Sequence, residues 1–253
     1  DIPAFYGERF MQMIEAGGAD IPNPFNRRTY FVPLKPETTA AIVFWSKNFQ
    51  PFLDKLPRLE KMGFRNFLFN FTITGLPEVF EPNVPPVEQA VQALRELSRR
   101  YDNRVIFWRF DPILFSDITA EEYYLNRFRE LAEMIAPFAG RCIFSFARFY
   151  RKVERALKKL EAAAGVRAFD PPVERKRELA AKLAQIAAEY GLPLQACCNE
   201  YLLDLPGVEQ AHCVDGELIA ELLGGETRFK PVPSRKGCGC YESSDIGEYG
   251  TCE

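Results

Sequence analysis

The chain has 253 residues, 47% of them hydrophobic, which is enough to bury one sizeable core. Its net charge of −3 and pI near 5.5 give no bulk attraction to nucleic acid or to an anionic membrane, although a local basic cleft remains open to it. No apolar run approaches the roughly 20 residues needed to span a bilayer, and no signal peptide is visible.

Read in order, helices and strands alternate. Ile2 to Gly17 has the apolar spacing of an amphipathic helix, with Gly17-Gly18 as its stop. A turn at Asn23-Pro24-Phe25-Asn26 leads to an extended piece, Tyr30 to Leu34. Ala41 to Trp45 is a continuous apolar run, as expected of a strand buried on both faces. It closes in the polar group Ser46-Lys47-Asn48. A helix from about Gln50 to Met62 precedes a strand from Asn66 to Thr72, which closes in Thr72-Ile73-Thr74-Gly75.

The pattern then repeats. Pro86 to Tyr101 reads as helix, and Arg104 to Trp108 as a strand ending in Arg109-Phe110-Asp111-Pro112. Thr119 to Pro137 reads as helix, with Thr119 as its N-cap. Arg141 to Phe146 is a strand ending in Arg148-Phe149-Tyr150-Arg151. Two charged amphipathic helices follow, Val153 to Ala164 and Val173 to Tyr190. Pro193 to Cys197 is a strand ending in Cys197-Cys198-Asn199-Glu200. The helix Gly216 to Leu223, a Pro-rich linker over Lys230 to Ser234 and a cysteine-rich tail at about 230–253 complete the chain.

At least five β-then-α units without a compositional break predict a single α/β domain over 1–253. Parallel strands joined by crossovers give a barrel or an open doubly wound sheet. No Gly-x-Gly-x-x-Gly or Walker-type loop follows a strand, so the expectation is a (β/α) barrel, TIM-like and incomplete. Its active site belongs at the carboxyl ends of the strands.

Those strand ends carry the candidate chemistry. Ser46, Lys47, Asn48, Thr72, Thr74, Arg109, Asp111 and Arg148 would converge on one mouth, although each could also be an ordinary solvated terminus. Arg109 and Asp111 are two apart on one strand and share a face. They could position a carboxylate or phosphate, or form a purely structural ion pair. The alternating Phe67, Phe69 and Phe71, like Phe144 and Phe146, read as barrel packing rather than base-stacking platforms. His212 is the only histidine, which argues against a Ser-His-Asp hydrolase, and a ligand role beside Cys213 stays open.

Seven cysteines, an odd number crowded toward one end, fit a cytosolic, metal-linked chain better than a disulfide-stapled secreted one. Cys238 and Cys240 are too close in sequence for a comfortable disulfide, and the glycines around them let the backbone wrap closely around a small group. Thiolates are the ligands soft metals prefer. Cys142 sits inside an apolar strand and reads as a small buried hydrophobe.

Asp1-Ile-Pro-Ala-Phe-Tyr-Gly, Asn23-Pro-Phe-Asn, Val43-Phe-Trp-Ser-Lys-Asn48, Trp108-Arg-Phe-Asp-Pro-Ile113 and Ser243-Ser-Asp-Ile-Gly-Glu-Tyr-Gly-Thr-Cys252 resemble a bacterial family called "domain of unknown function 1848", nearly end to end. In that family the chain runs on past Cys252 in a Cys-x-x-x-Cys-x-x-Cys segment, similar to the cluster loop of radical S-adenosylmethionine (radical SAM) enzymes. The resemblance implies a circularly permuted radical SAM barrel with its cluster loop at the C-terminus and Cys252 as its first cluster ligand. It implies a [4Fe–4S] cluster, S-adenosylmethionine as cofactor, hydrogen abstraction from an unknown substrate, and an electron donor such as flavodoxin or ferredoxin. Ser46, Asn48, Thr72, Thr74 and Arg148 would then lie near the cofactor, with Arg109, Asp111 and Lys47 near the chemistry.

Cys197, Cys213, Cys238 and Cys240 remain, four thiolates that could hold a second iron–sulfur cluster or structural zinc. They could also be independent buried or free thiols. Cys198 could replace Cys197, since neighbours along a strand point opposite ways and only one can face a site. The competing functions are a zinc- or cluster-stabilised barrel with a non-radical or binding role, and a nucleic-acid repair or modification protein, which the charge does not support.

Overall fold

The computed structural model describes residues 1–23 and 28–247. Asp1 caps α1 (Ile2–Phe5) by accepting the Ala4 amide at 3.2 Å. The single helix expected over Ile2 to Gly17 is interrupted at Tyr6, whose φ of −123° leaves the helical region, and α2 (Gly7–Glu15) starts afresh. Gly7 sits against Lys55 and Phe52 so closely that a Cβ would lie 2.9 Å from Lys55 Cε. After Gly17, β1 (Gly18–Pro22) pairs antiparallel with β2 (Thr29–Pro33). Only the second arm of this hairpin was expected, and residues 24–27, which hold most of the predicted turn, lie outside the described residues.

The main sheet is β3 (Ile42–Ser46), β4 (Phe67–Thr72), β5 (Ile106–Ile113), β6 (Arg141–Phe146), β7 (Leu194–Ala196) and β8 (Val208–Gln210). These six strands are all parallel and lie side by side in sequence order. The order never reverses, so the described sheet has no switch-point crevice of the doubly wound kind. The connections carry α3 (Leu56–Lys61), α4 (Val87–Ser98), α5 (Glu121–Ile135), α6 (Arg151–Ala164) and α7 (Val173–Glu189), and α8 (Gly216–Leu222) follows β8. Neighbouring helices α4 and α5, and α5 and α7, pack on one another. None of the helices among the described residues is long and apolar enough to cross a membrane.

Two helix starts differ from expectation for local reasons. The segment predicted as helix from Gln50 begins as a 3₁₀ turn, Gln50–Phe52, and α3 restarts around Pro57, a residue preorganised for a first helical turn. Thr119 does not cap α5, whose N-cap is Ala120. The Thr119 hydroxyl donates instead to the Leu114 carbonyl at 2.7 Å, which fixes the loop ahead of the helix.

Strand parity sets the two faces of the sheet. Phe67, Phe69 and Phe71 are buried toward the helices, where Phe69 stacks on Phe44 at 5.7 Å and Phe71 meets Phe49 edge-on at 4.8 Å. On β5, Trp108 stacks on Phe128 of α5 at 5.0 Å, and its indole N–H donates to the Ile73 carbonyl at 2.8 Å. Phe144, Phe146 and Cys142 belong to the same core. Burial pushes the Cys142 thiol well above its ordinary pKa, as for the small hydrophobe the sequence suggests. The opposite parity, Asn70 on β4 and Arg109 and Asp111 on β5, faces away from this aromatic layer and builds the site.

Candidate functional site

On that second face Arg109 is buried, and its guanidinium is the hub of a polar network. It donates to an Asp111 carboxylate oxygen, to Cys213 Sγ at 2.8 Å and to Asn70 Oδ1 at 3.4 Å. Ser145 of β6 donates to the other Asp111 oxygen, and Asn70 donates to the Cys213 carbonyl at 3.1 Å. Burial works against the charge, yet the Cys213 and Asp111 contacts prevail and the Arg109 pKa lies above its ordinary value. The predicted pairing of Arg109 with Asp111 is therefore present, and it is tied to a thiol from beyond β8.

The cysteines gather at the same place. Cys197 follows β7, Cys213 follows β8, and their sulfurs lie 3.8 Å apart. The 230–242 segment folds back as a hairpin through the Pro231–Tyr241 bridge, and the Val232 amide bonds the Cys240 carbonyl at 3.0 Å. Three bonds dock this hairpin on the end of β8 and the chain after it. The Tyr241 amide meets the Val214 carbonyl at 3.2 Å, Gln210 Nε2 donates to the Gly237 carbonyl at 3.2 Å, and His212 Nδ1 contacts the Gly239 carbonyl. His212 thus anchors the tail. Docking carries Cys238 and Cys240 to the sulfurs already there: the Val214 amide points at Cys240 Sγ (3.5 Å) and the Cys240 amide at Cys238 Sγ (3.4 Å).

Cys197 and Cys198 break the strand rule. Cys198 has φ of 56°, the left-handed region that non-glycine residues seldom occupy. The alternation therefore fails, both thiols turn to the same side, and their sulfurs lie 3.7 Å apart. Arg148 helps hold this turn by donating to the Cys198 carbonyl at 2.6 Å. Arg235, a residue sequence reasoning passed over, donates to Cys198 Sγ at 3.0 Å and reaches Cys197 Sγ at 4.0 Å. Its place three residues before Cys238 was the available signal.

The thiols are electrostatically unequal. Cys197 is pushed up by its contact with Cys213 and by burial, and burial chiefly pushes Cys198 up to about 11. Cys213 lies at about 11, where the Cys197 contact lowers it but Cys240 and burial outweigh that. Cys240 is lowered, first by its contact with Cys213. Cys238 is lowered because bonds from Ser234 and the Cys240 amide overcome the effect of burial. The chain thus places its most acidic thiols on the docked hairpin.

A cavity of about 910 Å³ is lined by β3 on one side and by the chain after β8, with α8, on another. Arg109 and all five of these thiols line it, as do Trp45 and residues 243–247. The other predicted strand-end residues do not. Lys47 pairs with Glu81, which also accepts from Thr74 at 2.7 Å, so Lys47 and Thr74 share one local network. Ser46 donates to the Asp1 carboxylate at 2.9 Å, and the Asn48 side chain accepts the Gln50 amide at 3.1 Å as a turn cap. Thr72 ends β4 half-buried. Cys252 lies outside the described residues. Among the described residues, no three His, Cys, Asp or Glu groups are drawn tightly enough together to hold a metal ion as placed.

The family model described as "Domain of unknown function (DUF1848)" matches residues 1–253, and the chain belongs to that family. No curated protein matches it. Among solved structures it is similar to a D-hydantoinase from Bacillus sp. AR9, at 15% identity and a TM-score of 0.32, over 72% of this chain and 40% of that one. It is also similar to a dihydropyrimidinase from Brevibacillus agri NCHU1002, at 17% identity and a TM-score of 0.31, over 72% of this chain and 41% of that one. The chain spans about two-fifths of the length of these solved chains, and such slight likeness carries nothing about activity.

Proposed function

We propose that this member of the DUF1848 family is an iron–sulfur enzyme of the radical SAM type, built on an incomplete, circularly permuted (β/α) barrel. Six sequential parallel strands with helices packed against them are the layout of most of an eight-stranded barrel. The cavity beside β3 would be its substrate chamber. One observation carries the reading: residues 243–247, which precede Cys252 in sequence, lie along that cavity. Tyr30 donates from its hydroxyl to the Asp245 carbonyl at 3.2 Å. The described chain thus reaches Gly247 along the chamber lined by Arg109 and the thiols, five residues before the proposed cluster ligand in sequence.

When bound, the cluster and S-adenosylmethionine would supply reductive cleavage and hydrogen abstraction. The chain's own residues would do the rest. Arg109, fixed by Asp111 and Asn70, presents a buried positive charge to the chamber, which suits an anionic group on cofactor or substrate. Trp45, 41% exposed on the chamber wall, offers an apolar face for a ring. The Lys47–Glu81–Thr74 network lies outside the chamber lining and would shape its rim. A flavodoxin or ferredoxin would deliver the electron, in a cytoplasmic setting.

The test is anaerobic reconstitution of the full-length protein with iron and sulfide, followed by S-adenosylmethionine and a strong reductant. The expected result is a brown protein that releases 5′-deoxyadenosine and methionine, with both properties lost in Cys252→Ala. A colourless protein that leaves S-adenosylmethionine intact under these conditions rejects the assignment.

A further inference from the structure

We infer that Cys197, Cys213, Cys238 and Cys240 hold one soft divalent ion of the zinc class, in a closed site that staples the 230–242 hairpin to the end of the sheet. This site is separate from the radical chemistry proposed above and does not depend on it. Its four donors come from three places in the chain: the end of β7, the loop after β8 and the docked hairpin. The Cys197–Cys213 sulfur separation is 3.8 Å. Two ligands of one tetrahedral zinc with bonds of about 2.3 Å lie about 3.8 Å apart, so one edge of the tetrahedron is already set. The thiolates of a four-iron cube sit on separate irons and must stand farther apart than that.

Cys213 continues the chain of sulfur contacts to Cys240, whose amide in turn points at Cys238 Sγ from 3.4 Å. As placed, the sulfurs form a chain of neighbours rather than a shell around one point. Binding must draw Cys238 inward toward Cys197 and Cys213.

Charge supports an ion held by thiolates. Four thiolates and a divalent ion carry a net charge of −2, and two guanidiniums already donate to sulfur here, Arg109 to Cys213 and Arg235 to Cys198. The amides of Val214 and Cys240 add N–H···S donors, the usual outer support of metal thiolates. Cys198 is held by Arg235 and supports the set without joining it. Beyond these, the hairpin is held by a few polar bonds and the half-buried Tyr241, with little apolar area. Residues 231–236 are exposed, and Cys238 is its one buried side chain. Ordering so much backbone over so little apolar area calls for a cross-link, and a structural ion supplies one.

Binding is written as four Cys–SH plus one divalent ion giving the tetrathiolate complex and four protons. The experiment uses the full-length protein with zinc as the probe and reads each thiol separately by alkylation and mass spectrometry. Zinc should release protons and slow alkylation of Cys238 and Cys240 at least about tenfold, with a strong chelator reversing both. Cys238→Ser and Cys240→Ser should each remove this protection from the partner thiol, whereas Cys142→Ala, a core change, should keep it. Circular dichroism confirms that the variants remain folded. Cys252→Ala should retain zinc protection even where S-adenosylmethionine cleavage is lost, which separates this site's failure from that of the radical assignment. Alkylation rates that ignore zinc, or protection of these thiols only by iron with sulfide, overturn the proposal.

Discussion

Replacing Arg109 with methionine should destabilise the metal-free protein by about 3 kcal/mol. The side chains of Arg109 and Asp111 are 8% and 19% exposed, so the pair is largely shielded from water. Two unit charges about 4 Å apart in an effective dielectric near 20 attract by about 4 kcal/mol, and removing one member of a buried pair typically costs about 3–5 kcal/mol because the other charge is stranded. Ser145 would still donate to Asp111, and some water reaches the carboxylate, which places the cost near the lower bound. The Cys213 and Asn70 contacts, at 2.8 and 3.4 Å, are lost as well. If stranding dominates, Asp111→Asn in the same chain should restore much of the stability, with a coupling of about 1.5 kcal/mol or more between the two changes. Urea denaturation at pH 7 with chelator present measures all four corners of this cycle. A cost under about 1 kcal/mol for Arg109→Met, or a double variant that equals the sum of the singles, refutes the reasoning.

At Gly216 an added Cβ would meet the Tyr241 ring at 2.5 Å, so Gly216→Ala should push the hairpin away, cost about 1–3 kcal/mol and speed proteolysis between residues 230 and 242. Trp108→Ala should cost about 3–5 kcal/mol of unfolding free energy by urea denaturation, since it removes the Phe128 stack and orphans the Ile73 carbonyl. The Arg100 guanidinium and the Tyr101 hydroxyl hold the Glu60 carboxyl below its ordinary pKa. A depressed carboxylate stabilises the fold above its unfolded value, and that contribution is lost as pH falls through the folded one. Glu60→Gln should therefore cost about 1 kcal/mol at pH 7, discounted for the pair's exposure, and almost nothing near pH 3.

The β-then-α repeat was legible because buried parallel strands are written as short apolar runs, and the Phe67-Phe69-Phe71 alternation is satisfied only by one apolar face. β8 was not legible: three residues, Val208–Gln210, offer no period, and they become a strand only because β7 already presents its edge. The first arm of the β1–β2 hairpin, with Gly18 and Pro22 at its ends, carries no strand signal of its own. At the site, the Arg109–Asp111 pair followed from spacing, and Cys197, Cys213, Cys238 and Cys240 line one cavity. The joint orientation of Cys197 and Cys198 could not be read, because it depends on one left-handed backbone angle held by tertiary contacts. Glu81 and Ser145 were missed for a related reason. Each gains its role from a partner distant in sequence, Lys47 in one case and Asp111 in the other.

The most direct measurement is element-specific anomalous scattering from crystals of the full-length protein, recorded on both sides of the zinc and iron edges. The expected result is one zinc-edge peak about 2.3 Å from the sulfurs of Cys197, Cys213, Cys238 and Cys240, beside the cavity that Arg109 lines. Bare sulfurs at those four positions after zinc soaking, or a peak held by other residues, would contradict it.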